Sequence, residues 1–537
     1  MTQPWRMPSG MTGSAQIVRI GASAGDDQAT CAARIAAKAR PGVRPAVWPD
    51  SPESRYDEMM PGRIHAVLDR YEFDGVPVAH ALAELTKDDA LHEGARQWIR
   101  HAVETYVASG VHGGPEPLDA VRRYWVTQHV NQRTWELYAW GRRYQSADGL
   151  RREFRFLRNG HARQGPLART QVAIAAYTTA FGSPADWPRP WREPFRPAAG
   201  CPVSWVRVVE VRLLDGSQDV LFEGTVEEAE ALYAEHGRER VRQIAVGGPP
   251  RASADCADCK LLSTCPAVRR APNLLGIASQ RRALRTWSVS DGRYYATCPA
   301  QEHLRRIKLP KIDEYDPDAI RGHAVHAWLE ETHGGMPRVP CRMGDTPLRA
   351  DDWTAGRWHV TGEEAMLGAR MIAQHATVCA FQHADHITEV RLEPSLCYFD
   401  DATNLIILAK PDMLYLENNG WVWREIKTVR RHRRMDTDVL QRFPQLALGV
   451  LILSANLLGG DPSGHRVELE TLTPDDADIE PFDASDPAIV VHARAIVRAL
   501  AEPWHRDDVA VAQPGPHCHE CPVRRWCPAY PGPGPVS

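Results

Sequence analysis

A cysteine spacing that occurs twice constrains the fold of this chain more than any other feature of its sequence. The pattern C-x2-C-x5-C is found at Cys256, Cys259 and Cys265, and it recurs 262 residues later at Cys518, Cys521 and Cys527. Two further landmarks recur in the same order. A Ser-x5-Ala-Thr-Cys run ends at Cys31 and, 267 residues later, at Cys298, and a His-Ala-x-Leu-acid run begins at His65 and, 261 residues later, at His326.

Three landmarks in one order and at nearly one offset predict that the chain contains two copies of one domain. We place the copies at residues 1–275 and 280–537, with the linker around Pro266 to Thr286. A chain of 537 residues is long enough for two domains that each bury a core of their own.

The second copy contains a predicted hairpin from Leu405 to Arg430, in which two apolar runs flank Asn418-Asn419-Gly420. If Asn419 and Gly420 form the loop, Asp412 lies opposite Lys427; if Asn418 and Asn419 form it, Asp412 lies opposite Glu425. Either register brings an Asp, a Glu and a Lys together. Two carboxylates bind Mg²⁺ or Mn²⁺, and such an ion lowers the pKa of a water that attacks phosphorus. The alternative is a surface hairpin with scattered charges.

Pro411-Asp412 followed by Glu425-Ile426-Lys427 resembles the PD-(D/E)XK nucleases, in particular the branch that includes RecB, AddB and the CRISPR-associated RecB-like exonucleases. The resemblance spans residues 288–530. It implies an α/β fold class: two tandem PD-(D/E)XK (restriction-endonuclease-like) domains, each a mixed central sheet flanked by helices and stapled by a four-cysteine metal cluster.

The resemblance also implies roles for individual residues. Asp412, Glu425, the carbonyl of Ile426 and His326 would bind the metal ion, and Lys427 would position or activate the attacking water. His323 is an alternative ligand to His326, and Glu389 is a further candidate acid. Gln445 matches the Gln of the family's Gln-x3-Tyr and is assigned to the catalytic group, but Gly449 stands where the Tyr would be, so a purely structural role for Gln445 stays open.

The first copy lacks part of this set. Its turn at Asp148-Gly149 is followed by Arg152-Glu153-Phe154-Arg155, which keeps the Glu and replaces the Lys by Arg. The incoming strand, residues 137–147, contains no acid, and the counterpart of Asp412 is one of Trp140, Gly141, Arg142 and Tyr144. Because hard cations need oxygen ligands, we expect this copy to be inactive, with His65 and Glu153 as remnants. Six arginines make its hairpin basic, which would suit a phosphate backbone: Arg142, Arg143, Arg151, Arg152, Arg155 and Arg158.

One remote cysteine plus C-x2-C-x5-C is the ligand pattern of the 4Fe–4S cluster in the AddB and CRISPR-associated exonucleases, whereas zinc sites normally use two close pairs. By that resemblance Cys298, Cys518, Cys521 and Cys527 hold one cluster, and Cys31, Cys256, Cys259 and Cys265 hold a second. Zinc is the alternative. Cys201, Cys341, Cys379 and Cys397 fall outside the pattern, and we interpret them as buried packing residues.

The formal net charge of −4 does not by itself indicate a polyanionic partner, so binding of DNA needs local basic surface. We assign that surface to residues beyond the hairpin: Arg424, Lys427, Arg430, Arg431, Arg433 and Arg434. The first residues do not form a signal peptide, and the most apolar run, residues 446–453, is too short to cross a bilayer. We therefore expect a soluble, cytoplasmic protein.

The sequence favours a Mg²⁺- or Mn²⁺-dependent deoxyribonuclease, an exonuclease rather than an endonuclease, acting on single-stranded DNA or DNA ends in repair, recombination or antiviral defence. The alternative is a non-catalytic iron–sulfur DNA-binding or scaffolding subunit of a helicase–nuclease or defence complex. A third hypothesis is a zinc-stapled RNA-binding protein. The chain contains no GxxxxGK[ST] motif, so a motor would come from a partner such as a helicase.

Overall fold

The computed structural model describes the chain except for residues 1–4, 26–30, 48–53, 57–58, 86–89, 111–116, 161–166, 279, 313–315, 432–437, 531 and 533–537. The described residues form a mixed α/β structure, as expected, with two five-stranded, two four-stranded and two two-stranded sheets. None of the described helices is long and apolar enough to span a membrane.

We call residues 1–275 the first half and residues 280–537 the second half. The strands described in the first half are β1 (Met11–Gly13), β2 (Ile17–Gly21), β3 (Val43–Pro45), β4 (Asp119–Ala120), β5 (Tyr124–Val130), β6 (Thr134–Tyr138), β7 (Arg142–Gln145), β8 (Arg151–Arg158), β9 (Ser183–Ala185), β10 (Trp205–Arg212), β11 (Gln218–Thr225) and β12 (Arg269–Arg270). Its described helices are α1 (Ala32–Lys38), α2 (Met60–Asp74), α3 (Val78–Leu85), α4 (Glu93–Ala108), α5 (Arg169–Phe181), α6 (Val226–Leu232) and α7 (Arg238–Val246).

The strands described in the second half are β13 (Arg285–Trp287), β14 (Asp352–Ala355), β15 (Trp358–Thr361), β16 (Ile387–Leu392), β17 (Leu396–Asp400), β18 (Leu405–Ala409), β19 (Met413–Glu417), β20 (Gly420–Thr428), β21 (Arg466–Leu472) and β22 (Ala477–Asp483). Its described helices are α8 (Val289–Thr297), α9 (Pro299–Arg306), α10 (Pro317–His333), α11 (Gly362–His375), α12 (Val439–Arg442), α13 (Pro444–Ser454) and α14 (Pro487–Arg506).

The two five-stranded sheets have the same strand order and the same strand directions. The sheet of the second half runs β16-β19-β20-β21-β22, and that of the first half runs β4-β7-β8-β10-β11. In both sheets the third and fourth strands are parallel and every other pair is antiparallel. A parallel pair needs a crossover connection, which α12 and α13 supply in the second half and α5 supplies in the first.

The two four-stranded sheets are also related. In the second half β13 pairs parallel with β18, and β17 and β18 form an antiparallel hairpin. In the first half β2 pairs parallel with β6, and β5 and β6 form the hairpin. In each half the hairpin of the four-stranded sheet precedes the hairpin of the five-stranded sheet. A helix whose N-cap is a cysteine follows β2 in the first half, at Cys31, and β13 in the second half, at Cys298.

The cysteine segment of each half packs against the opposite half. Cys521 and Trp526 are buried in one apolar cluster with Trp98 of α4, and the two indole rings lie 4.9 Å apart. In the reverse direction, Cys256 is buried in a cluster with Cys397 and Phe399 of β17. The halves are therefore joined by two reciprocal apolar contacts.

The segment predicted to be a linker is instead part of the second half's structure. Strand β12 pairs in parallel with β17, and Ala271, Leu274 and Leu275 are buried in the large core that α13 and α14 form against β20 and β21. The connecting segment at residues 266–286 is therefore packed, because its apolar residues are buried against a neighbouring sheet.

Three local features shape the elements around the second-half sheet. Helix α8 is capped by Ser288 and ends at Cys298, before Pro299 starts α9. Strands β14 and β15 form an antiparallel hairpin between α10 and α11. Helices α12 and α13 are separated at Phe443, which precedes Pro444, as expected for the residue before a proline.

Candidate active site

The hairpin of β19 and β20 has one of the two registers left open by the sequence. Glu417 pairs with Gly420 and Met413 with Arg424, so the loop is Asn418-Asn419. Both asparagines have positive φ angles, 46° and 68°, as a two-residue type I′ loop requires. Continuing the pairing by one residue places Asp412, just before β19, opposite Glu425.

The carboxylate of Asp412 is held by groups from three directions. Its Oδ2 atom accepts a hydrogen bond of 2.7 Å from the backbone N–H of Ile426 and lies 3.6 Å from Nζ of Lys427. Its Oδ1 atom lies 3.3 Å from Nδ1 of His326, which α10 carries across this end of the sheet. The side chain is half-buried, so its oxygens remain within reach of solvent.

Glu425 is almost fully buried and is fixed by two donors. Nζ of Lys427 donates to Oε2 at 3.1 Å, and Nε1 of Trp423 donates to Oε1 at 3.1 Å. Trp423, Glu425 and Lys427 alternate along β20 and therefore lie on one face of the sheet. Lys427 also donates to the carbonyl oxygen of Ile426 at 3.0 Å, so the ammonium group lies among three oxygen acceptors.

The electrostatics of these groups are tightly linked. Burial alone would raise the pKa of Asp412, but His326 and Lys427 lower it to about 2. Burial and the negative charge of Asp412 raise the pKa of Glu425 to about 7, against the effect of Lys427. Burial disfavours the charged form of Lys427, yet Glu425 and Asp412 outweigh it and raise the pKa of the ammonium group. Without a metal ion, Glu425 therefore holds a proton far more readily than Asp412 does.

Besides Glu425, a further acid lies near Asp412, and it is Glu393 rather than the candidate Glu389. One ligand atom each from His326, Glu393 and Asp412 lie within 4.8 Å of one another. Glu393 follows β16 with a φ of 41°, and its backbone N–H bonds to the carbonyl oxygen of Asp412 at 3.0 Å. Glu389 instead bonds to Arg391 near the tip of the hairpin. Glu389 and Glu393 are four residues apart and would share one face of a regular strand, but no residue pattern indicates the irregular backbone that brings Glu393 to Asp412.

The donor set fits a hard divalent cation. Carboxylate oxygens of Asp412, Glu393 and Glu425, the carbonyl of Ile426 and an imidazole of His326 lie at one end of the central hairpin. Oxygen donors with a single neutral imidazole suit Mg²⁺ or Mn²⁺ better than a thiophilic ion.

Two candidate residues lie outside this group of contacts. Gln445 is half-buried at the start of α13, and none of the hydrogen bonds that the described residues make at Asp412, Glu425 or Lys427 involves it. Gly449 backs directly on Trp423, where an added Cβ would come 3.0 Å from the indole. A side chain at that position would therefore require Trp423 to shift. His323 is exposed and stacks on Trp358, with ring centroids 4.4 Å apart.

Two pairs of corresponding cysteines in the repeated pattern accept matching backbone hydrogen bonds in the two halves. Cys298, Cys518, Cys521 and Cys527 line one cavity. The Cys298 Sγ atom accepts the backbone N–H of Gln513 at 3.3 Å, and the Cys31 Sγ atom accepts that of Arg251 at 3.2 Å. The sulfurs of Cys518 and Cys256 each accept the N–H of the residue three positions earlier, at 3.4 Å.

The first half shows a different arrangement where the second half has its carboxylates. The pairing of β7 and β8 places Tyr144 opposite Glu153. The Glu153 carboxylate is buried between two guanidinium groups, those of Arg155 at 2.5 Å and Arg207 at 3.2 Å. The ring of His65 packs at a tilt against that of Trp140, with ring centroids 4.1 Å apart. The charge of Glu153 is therefore already paired with two arginines.

The prediction of a basic surface is wrong for the first-half hairpin, because most of its arginines are buried. Four of the six in the first-half hairpin are at most 6% exposed: Arg142, Arg143, Arg152 and Arg155. In the second half Arg424 is buried and pairs with Glu468 and Glu470. Arg430 pairs with Asp318, Glu363 and Glu364, whereas Arg431 is exposed. Arg433 and Arg434 lie outside the described residues.

The four cysteines outside the repeated pattern do not share one environment. Cys397 is buried, as predicted, whereas Cys201 is exposed, so the prediction for Cys201 is wrong. Cys341 and Cys379 are buried beside two histidines, in an arrangement that simple packing does not explain.

Residues 286–528 match the family described as "PD-(D/E)XK nuclease superfamily". Residues 286–528 are a PD-(D/E)XK nuclease superfamily domain, called the nuclease domain below. This nuclease domain begins at β13, ends after the last cysteine of the repeated pattern and contains Asp412, Glu425 and Lys427. Its family membership indicates nuclease activity, DNA as substrate and use of divalent metal ions.

The chain matches none of the curated proteins with which it was compared. One solved structure that it resembles is titled "Crystal structure of SSO0001"; the two share 16% sequence identity, and the TM-score is 0.21. The similarity covers 47% of this chain and 90% of that chain.

Proposed function

We propose that the nuclease domain is a metal-dependent deoxyribonuclease whose centre is Asp412, Glu425 and Lys427. The observation that supports this most is the convergence on Asp412: the N–H of Ile426, Lys427 and His326 all approach its carboxylate, and Glu393 lies beside it. A surface hairpin with scattered charges would not bury Glu425 between a lysine and an indole N–H.

Asp412, Glu425, the carbonyl of Ile426 and His326 would hold Mg²⁺ or Mn²⁺, with Glu393 as a further oxygen donor. An ion held there would supply Lewis acidity toward the scissile phosphate and toward a water molecule. Lys427 then acts as a hydrogen-bond donor. Its ammonium is held by Glu425 and the Ile426 carbonyl, so it can orient the attacking water and offset negative charge on the phosphate. Cleavage that leaves a 5′-phosphate breaks the bond to the 3′-oxygen, which takes up a proton as it leaves.

The substrate class follows from the resemblance to the exonuclease branch. We propose single-stranded DNA or DNA ends, in repair, recombination or antiviral defence, with a helicase or other motor on a partner chain. The first half would be an inactive copy of the nuclease domain. Its identical strand order and its Glu153 buried between arginines support this assignment.

We also propose a 4Fe–4S cluster in each half, held by the two sets of four cysteines. A single zinc ion with Zn–S bonds of about 2.3 Å would draw its sulfurs to about 3.8 Å from one another. Among the described residues, no three of these sulfurs lie within 4.8 Å of one another, which leaves room for a larger cluster. Backbone N–H groups directed at the sulfurs are a further feature of such sites.

Two measurements test these assignments on the full chain purified without oxygen. Labelled single- and double-stranded DNA should be cut with Mg²⁺ or Mn²⁺ and left intact with EDTA, and the products should carry 5′-phosphates. Iron analysis should show that Cys298→Ser lowers the iron content by about four atoms per chain, whereas Cys201→Ser leaves it unchanged. Tight binding of DNA without cleavage would favour the scaffolding alternative, and zinc in place of iron would refute the iron–sulfur assignment.

A further inference from the structure

Four side chains outside the active site converge on one point in the interior of the nuclease domain. His333 is the last residue of α10 and His375 is the last residue of α11. Cys341 and Cys379 lie in the segments that follow these two helices. One ligand atom from each of the four residues lies within 4.8 Å of the other three, and all four residues are buried.

The distances between these atoms match a tetrahedron around one ion. Nε2 of His333 lies 3.2 Å from Nε2 of His375, 3.4 Å from the sulfur of Cys341 and 3.8 Å from that of Cys379. Zinc bonds of about 2.0–2.1 Å to nitrogen and about 2.3 Å to sulfur require separations of about 3.3 Å between nitrogens and about 3.6 Å between nitrogen and sulfur.

Glu470 orients the imidazole of His375 in the way that metal-binding histidines are usually oriented. Nδ1 of His375 lies 2.5 Å from Oε1 of Glu470, a fully buried residue of β21. A histidine that gives its Nδ1–H to a carboxylate keeps the lone pair of Nε2 free, and metal-binding histidines usually have such a partner. The other oxygen of Glu470 bonds to Arg424 of β20 at 3.2 Å, so its charge is paired.

We propose that His333, Cys341, His375 and Cys379 bind one Zn²⁺ ion. Two thiolates and two imidazoles in a tetrahedron select zinc over Mg²⁺ or Mn²⁺, which prefer oxygen. Four protein ligands leave no open position, so the ion is structural rather than catalytic. The proposal is independent of the nuclease activity, since it uses none of the groups around Asp412.

The position of the ion indicates what it stabilises. It joins the ends of α10 and α11 to each other and, through Glu470, to the central sheet. His326 precedes His333 by seven residues, which is about two turns of the same helix. The zinc ion therefore anchors the helix that presents His326 to Asp412. In the first half the residue seven positions after His65 is Glu72, which bonds instead to Tyr144 and Arg142.

The experiment measures zinc per chain by mass spectrometry in the full protein after dialysis against EDTA. The double variant Cys341→Ser/Cys379→Ser should contain one zinc atom fewer per chain than the wild type, and Cys201→Ser should match the wild type. Equal zinc in the double variant and the wild type would overturn the proposal, and so would a Cys341–Cys379 disulfide in peptides from the unreduced protein.

A second measurement needs no variant and therefore covers the case in which the double variant fails to fold. X-ray absorption at the zinc edge of the wild type should show imidazole nitrogens together with sulfur. Among the three predicted cysteine sites this is the only one that contains histidine. A zinc spectrum with sulfur alone, or protein that binds no zinc, would contradict the proposal.

Discussion

His326 Nδ1 lies 3.3 Å from Asp412 Oδ1, so a side chain from the middle of α10 meets the carboxylate that immediately precedes β19. The other oxygen of Asp412 is held by the N–H of Ile426 on the neighbouring strand. The carboxylate is thus fixed from the helix and from the sheet before any ion binds, and this preorganisation reduces the cost of assembling a metal site.

The first prediction concerns metal affinity. His326→Ala removes an imidazole beside Asp412, so the Mn²⁺ concentration that gives half-maximal DNA cleavage should rise at least about 10-fold. His323→Ala is the matched control, because His323 is three residues away on the same helix but stacks on Trp358. If His323→Ala raises the Mn²⁺ requirement and His326→Ala does not, the assignment of His326 is wrong and His323 is the ligand.

The second prediction compares two acids of the same strand region. Glu393→Gln removes an oxygen donor near Asp412 and should lower cleavage at limiting Mg²⁺, with partial recovery at high Mg²⁺. Glu389→Gln should behave as the wild type, because its carboxylate bonds to Arg391 and is not part of the group beside Asp412. A titration of cleavage rate against Mg²⁺ for both variants tests this, and equal loss in the two variants would exclude a specific role for Glu393.

The third prediction concerns pH and stability without the active-site ion. The pKa of Glu425 is raised to about 7 by burial and by Asp412, so the folded state keeps a proton that the unfolded chain releases near its ordinary value of 4.5. The stability from this protonation is fully present below about pH 4.5 and is lost as pH rises through about 7.

Glu425→Gln removes this dependence. In EDTA, at a concentration that leaves cysteine-bound metal in place, the variant should gain thermal stability over the wild type as pH is raised from 5 to 8. Melting temperatures of both proteins across this range provide the test. A wild type whose stability relative to Glu425→Gln increases with pH would contradict the proposed burial of the carboxylate.

The strand pattern and the turn chemistry of the central hairpin could be predicted from the sequence, but its register could not. Either loop satisfied the alternation of apolar residues, and the observed pairing of Glu417 with Gly420 identifies Asn418-Asn419 as the loop. The burial of Arg424 could not be predicted either, because its partners Glu468 and Glu470 lie on the parallel strand β21, which comes after α12 and α13 in the chain. A run of charges in a sequence does not show which members a neighbouring strand will bury.

The candidate zinc site escaped prediction for a similar reason. His333 and Cys341 are eight residues apart, His375 and Cys379 are four apart, and the two pairs are brought together only by the packing of α10 against α11. In the active site, Asp412, Glu425 and Lys427 are local to one hairpin and could be recognised. Glu393 depends on a backbone conformation with positive φ that no residue pattern indicated.

The most direct test of the central claim compares Asp412→Asn with Glu153→Gln in the cleavage assay, using protein shown to be folded by circular dichroism. Asp412→Asn should lower Mg²⁺-dependent cleavage at least about 100-fold, since it removes the carboxylate at the centre of the site. Glu153→Gln, the corresponding change in the first half, should retain cleavage within about twofold. Full activity in Asp412→Asn, or loss of activity in Glu153→Gln alone, would contradict the location of the nuclease centre in the second half.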